Sequence, residues 1–212
     1  MKTFGYMNRI QWMVKVILPF YLLAFLPLSV CAESAKSILD KAAATVSNPN
    51  GVQANFEMHS KQFGDTSGSI SIKGKKFHAS TPQAIIWFDG KTQWTYMKQN
   101  DEVNVSNPSE AELQAINPYN FINIYKSGFK LSAKKVNNSY EVHLKATDKK
   151  RKIQEMYIIV DQNSYRPTHI KMQQNGKWSV LIISGLKATN LSDGLFEFNA
   201  KDFPQAEIID LR

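Results

Sequence analysis

Ile85-Ile86-Trp87-Phe88-Asp89-Gly90-Lys91-Thr92-Gln93-Trp94-Thr95-Tyr96 decides the fold class. It reads as strand, Asp-Gly turn, strand, with the turn dipeptide taking the positive φ of a tight hairpin and Gly90 doing so without steric cost. The flanks hold two tryptophans, a tyrosine, a phenylalanine and two isoleucines. Strands this aromatic need a cover, supplied either by the protein's own core or by a bound apolar ligand.

Working outward, a period of two recurs. Val52, Ala54, Phe56 and Met58 alternate with polar residues, and Ile70/Ile72, Phe77/Ala79 and Val103/Val105 repeat the pattern. Later strands are expected at Phe129–Lys135, Tyr140–Ala146, Ile153–Val160, His169–Gln173, Trp178–Leu186 and Glu207–Leu211. Asn137-Asn138-Ser139, Asp161-Gln162-Asn163 and Gln174-Asn175-Gly176-Lys177 punctuate them as turns. Short strands so regularly spaced predict one large antiparallel sheet, curved into a barrel or half-barrel. Two helical stretches interrupt it. Ser34 caps a helix to Val46 whose Ile38, Leu39, Ala42 and Val46 share a face. Ser109 to Ser127 reads as two short helices hinged at Asn117-Pro118, a plug for the concave face or simply a part of the core.

The first 32 residues read as an export signal: a basic head (Lys2, Arg9, Lys15), an apolar run from Val16 to Val30, and small residues before Glu33. The run is too short, and too rich in proline, for a permanent membrane helix. Residues 33–212 then form one domain, located in the periplasm. Cys31 leaves a rival open, a lipidated cysteine in Leu28-Ser29-Val30-Cys31, although Val30 is bulky for that motif. If Cys31 leaves with the signal, the exported chain has no cysteine and relies on its core alone.

The formal charge of +8 falls to +5 without the three basic residues of the head. A modest excess suits an anionic membrane surface, and nucleic acid is a poor partner for an exported chain. Lys149-Lys150-Arg151-Lys152 is expected to be a solvated turn. The four histidines show none of the close helical spacings used for zinc, and the nucleophile elbow and phosphate loop are both missing. The expectation is therefore a monomer that is not an enzyme and carries no cofactor or metal.

In their order along the chain, several elements together resemble the outer-membrane lipoprotein carriers, the LolA-like proteins. They are the leading helix, Phe56, Gly68-Ser69-Ile70-Ser71-Ile72-Lys73, Asp89-Gly90-Lys91-Thr92-Gln93-Trp94-Thr95-Tyr96, Glu102-Val103, Asn117-Pro118, Phe196-Glu197-Phe198, Pro204 and Ile209-Asp210-Leu211-Arg212. The resemblance implies an unclosed antiparallel barrel capped by short helices, with an apolar cavity between them. It also implies partners: acylated lipoproteins, an inner-membrane lipoprotein-releasing ABC transporter, and an outer-membrane acceptor. A sensor or interaction module on the same fold is the alternative, as is an anchored acceptor if Cys31 is lipidated.

Candidate cavity residues on the strands are Phe56, Met58, Ile70, Ile72 and Phe77, with Trp87, Trp94 and Tyr96 from the hairpin. From the helical insertion come Ile116, Phe121, Ile122 and Tyr125. Ordinary core competes as the explanation for each, and one residue of slip swaps the faces of a strand. Relatives commonly carry an Arg-Pro pair after the second strand, the arginine holding a helical lid. The corresponding stretch here is Lys73-Gly74-Lys75-Lys76-Phe77. Lid closure is therefore expected to rest on apolar contacts of Phe121, Ile122 and Tyr125, with little from Lys73 or Lys75.

Overall fold

The computed structural model describes residues 33–62, 64–109, 113 and 123–212. Helix α1 (Ala35–Val46) leads. Ser34 caps it, its Oγ accepting the Ser37 N–H at 3.1 Å, and Ile38, Leu39, Ala42 and Val46 are buried as one face. The chain reverses at Asn48–Gly51. There Gly51 has φ +107°, and a Cβ would fall 2.5 Å from Leu191 Cδ1, so both backbone and space demand glycine.

Twelve strands follow. The first half comprises β1 (Val52–Ser60), β2 (Thr66–Lys73), β3 (Lys76–Ser80), β4 (Ala84–Phe88), β5 (Gln93–Met97) and β6 (Glu102–Ser106). The second comprises β7 (Phe129–Val136), β8 (Ser139–Ala146), β9 (Ile153–Asp161), β10 (Pro167–Gln174), β11 (Lys177–Ala188) and β12 (Glu207–Asp210). They form one sheet in the order β12-β6-β5-β4-β3-β2-β1-β11-β10-β9-β8-β7. Every pairing is antiparallel except β12 with β6. β12 and β7 remain as edges, so the barrel is unclosed.

The hairpin's loop differs from the expected two-residue turn. It runs over four residues, Asp89–Thr92, and of the Asp-Gly pair only Gly90 takes a positive φ (+102°). Asp89 instead folds the loop with its side chain, Oδ1 accepting from the Lys91 and Thr92 N–H groups at 2.8 and 2.7 Å. The basic run after β8 is mostly exposed as expected, but Arg151 lies over the Phe129 ring, 4.6 Å from its centroid.

The core has two parts. One lies between α1 and β8–β10, where Ile38, Val142, Leu144, Met156 and Val160 are fully buried. The other gathers Val52, Ile72, Phe77 and Phe88. The N-terminal end of α1 is fixed by a polar cluster: Glu33 accepts from Tyr165 (2.8 Å) and pairs with Lys41 (2.7 Å). The hydrogen bond from Lys41 acts most strongly on the Glu33 carboxyl; with help from Tyr165 it outweighs burial and holds the group below its usual range. Among the described residues no helix is long and apolar enough to cross a membrane.

The second helical stretch lies largely outside the described residues. Its C-terminal end is a 3-10 turn at Ile124–Lys126.

Candidate functional site

Directly opposed residues on paired strands share a face of the sheet. Ile70 stands opposite Ala79, and Ala79 opposite Ile86. Ile72 stands opposite Phe77. On the other side of β1, Phe56 and Met58 stand opposite Ile183 and Leu181, and Leu181 opposite Ile170. These faces curve toward one another beneath α1 and enclose a cavity of about 470 Å³, a size ordinary for small-ligand sites. Ala42 and Val46 of the helix form part of its wall. None of its described lining residues is Asp, Glu, Lys, Arg or His. The lining can exclude water from an apolar chain. Among the described residues no cluster could hold a metal ion.

Six of the twelve candidates meet here: Phe56, Met58, Ile70, Ile72, Phe77 and Tyr125. Ile116, Phe121 and Ile122 lie outside the described residues. Trp87, Trp94 and Tyr96 do not line the cavity; their strands turn them to the opposite, convex face. Trp87 stands opposite His78 and Trp94, and Trp94 opposite Val105. Their cover is the C-terminal segment. Phe198 and Phe203 each meet the Trp87 ring edge-on with centroids 5.5 Å away, and Phe203 sits 4.6 Å from Tyr96. Burial on that face lowers the His78 pKa.

The cavity also recruits residues that the sequence left unassigned, among them Ile86, Ile170, Met172, Leu181 and Ile183. Their alternation was visible. Which face turns inward depends on how the sheet curls and what covers its back, and neither is a local property.

Tyr125 does more than make apolar contact. It is nearly fully buried, and its hydroxyl donates to Asp40 Oδ1 of α1 at 2.6 Å. Burial, and then the adjoining carboxylate, raise the tyrosine's pKa. Lys36 and then Tyr125 hold the Asp40 carboxyl below its usual range. A polar tie thus joins the end of the helical insertion to α1, in addition to packing. Because the folded Asp40 value is depressed, the tie contributes fully at neutral pH and weakens as pH falls through that value. Tyr125→Phe should lower the thermal midpoint by a few degrees at pH 7, with the gap narrowing below about pH 3.9. A gap unchanged down to pH 3 would show that the carboxylate has no part in it.

The lysines flanking the β2–β3 turn fasten a different element. Lys73 Nζ donates to the Leu191 carbonyl at 2.9 Å and lies 3.3 Å from Asp193, while Lys76 approaches Asp193 at 3.1 Å. Lys76, then Lys73, depress the Asp193 pKa. Lys73 therefore clasps the C-terminal segment, a contact the sequence did not foretell. With Lys75 and Asp89 these groups line a second, polar concavity of about 480 Å³.

The sequence model of the family described as outer membrane lipoprotein carrier protein LolA matches residues 27–176, which span α1 and β1 to β10. No curated protein matches the chain by sequence. Among solved structures, an uncharacterized conserved protein from Thermus thermophilus shares the fold. It has 14% identity and a TM-score of 0.57, over 84% of this chain and 99% of that one. A LolA superfamily protein from Nitrosomonas europaea is 16% identical, over 79% of this chain and 99% of that one, with a TM-score of 0.43. The lipoprotein LppX of Mycobacterium tuberculosis is 9% identical, over 74% and 98%, also with a TM-score of 0.43. With its unclosed sheet, its helix-covered apolar cavity and a family match over most of its length, the chain belongs to the outer membrane lipoprotein carrier protein LolA family.

Proposed function

We propose that this chain is a non-catalytic periplasmic carrier that shields the acyl chains of lipoproteins between the inner and outer membranes. The observation that carries the reading is the cavity lining, which is predominantly apolar and without a charged side chain among the described residues. A lipid chain gains about 0.8 kcal/mol per buried methylene, so an acylated protein needs such a shelter to cross water. Release requires that the shelter not be perfect, and methionines at 58 and 172 offer an adaptable wall. In this reading the exported protein begins at Glu33, where the compact unit begins. It receives cargo from an inner-membrane lipoprotein-releasing ABC transporter and passes it to an outer-membrane acceptor.

The purified protein should bind a naphthalene sulfonate dye that long-chain acyl compounds displace. Native mass spectrometry of protein taken from its own periplasm should show an acylated species attached. Absence of both dye binding and acyl adducts would overturn the carrier reading.

A further inference from the structure

The cavity is chemically uneven along its length. At one end, Val52 of β1 stands opposite Ile72, and Phe77, Leu186 and the helix residues Ala42 and Val46 close in. Val52, Ile72 and Phe77 are buried there, packed with Ile70, Ile86 and Leu186, while Ala42 and Val46 bring α1 to the same cavity. At the other end, six residues and about 20 Å further along β1, Met58 stands opposite Thr66 and Leu181. Ser179 stands opposite Met172, with Gln174 two residues beyond it. Thr66, Thr81, Gln174 and Ser179 all line the cavity at this end.

Thr66 Oγ1 already donates to Gln83 at 3.1 Å, and Ser179 shares a hydrogen bond with Ser60 at 2.7 Å. Thr81 Oγ1 bonds both the carbonyl and the N–H of Ala84. The Gln174 amide has no hydrogen-bond partner among the described residues. Asn55 supplies a second amide to the lining further along β1, and Gln174 is the amide at the Thr66–Thr81–Ser179 end.

We infer that an acyl ligand lies in one direction only, its uncharged ester or amide linkage at the Thr66–Thr81–Gln174–Ser179 end and its methyl terminus beneath α1. This rests on the acyl-binding reading above and adds orientation and head chemistry to it. A carbonyl oxygen placed beside Gln174 gains a donor. The same carbonyl at the helix end would be buried among aliphatic side chains without one, an outcome that costs more than the hydrogen bond returns. The linkage is uncharged because an ionised head drawn inside this lining would meet no opposite charge from the described residues. The polypeptide of a bound lipoprotein then emerges between the β1–β2 and β10–β11 turns, away from α1.

The test uses the full exported chain and two monoacylglycerol probes of equal length, one with a diazirine at the chain terminus and one with it beside the ester. After irradiation, the terminal probe should label Ala42, Val46 and Leu186, and the ester-proximal probe should label Met58, Gln174 and Ser179. Gln174→Leu should weaken binding of an unlabelled monoacylglycerol by about threefold to tenfold and leave binding of an alkane of that length unchanged. Reversed or identical labelling by probes that do bind overturns the orientation alone. If neither probe binds or displaces the dye, the acyl-binding reading falls with it.

Discussion

Trp87→Ala should destabilise the protein heavily while leaving its cavity intact. The side chain is 8% exposed and wedged on the convex face between Phe198 and Phe203, with His78 5.6 Å away across the strand pair. Truncating a buried tryptophan typically costs about 3–5 kcal/mol. In a domain of this size that corresponds to a thermal midpoint lower by roughly 6–20 °C. The loss is directed at the C-terminal segment, whose attachment also includes the clasp of Lys73 on Leu191 and the pairing of β12 with β6. Below its midpoint, however, the variant should bind an acyl probe within about twofold of the parent, because no atom of Trp87 reaches the cavity wall. A variant that keeps its midpoint but loses the probe would place Trp87 inside after all.

That experiment turns on the point where sequence and structure part. In β1 the alternation of Ala54, Phe56 and Met58 with polar neighbours points one way, and all three residues line the cavity. The helix cap at Ser34 and the strand limits were equally local, set by a side-chain hydrogen bond and by turn residues. The hairpin is different because both faces of β4 are apolar: Ile86 looks into the cavity and Trp87 away from it. An aromatic strand needs a cover: Phe198 and Phe203, far along the chain, supply it for one face, and the cluster of Val52, Ile72 and Phe77 packs against the other. Nothing within the hairpin distinguishes the two. The same holds for Lys73. Its charge and position are plain in the sequence, whereas its partner is a backbone carbonyl that only the wrapping of the C-terminal segment brings within reach. Elements follow from local chemistry, and the assignment of faces follows from what the remote chain covers.

Ala79→Trp should abolish acyl binding with the fold retained. Ala79 sits on β3 between Ile70 and Ile86 on the inward face, and as a small residue it leaves room in the middle of the cavity wall. Small-to-large changes in a packed core force neighbours off their rotamers at about 1–3 kcal/mol. Here the added ring extends into open volume and buries its own surface against the two isoleucines, which offsets much of that strain. Stability should therefore stay within about 1 kcal/mol of the parent, measured by urea midpoint. The volume that an acyl chain would occupy is then filled, and dye and acyl affinities should fall by more than about tenfold, a change of at least 1.4 kcal/mol. Ala79→Val is the control: it adds too little bulk to block the cavity and should bind nearly as the parent does. If the tryptophan variant folds and still binds acyl probes at parental affinity, the ligand does not use the space between β2, β3 and β4. Binding would then have to be sought at the wall formed by β10, β11 and the helix.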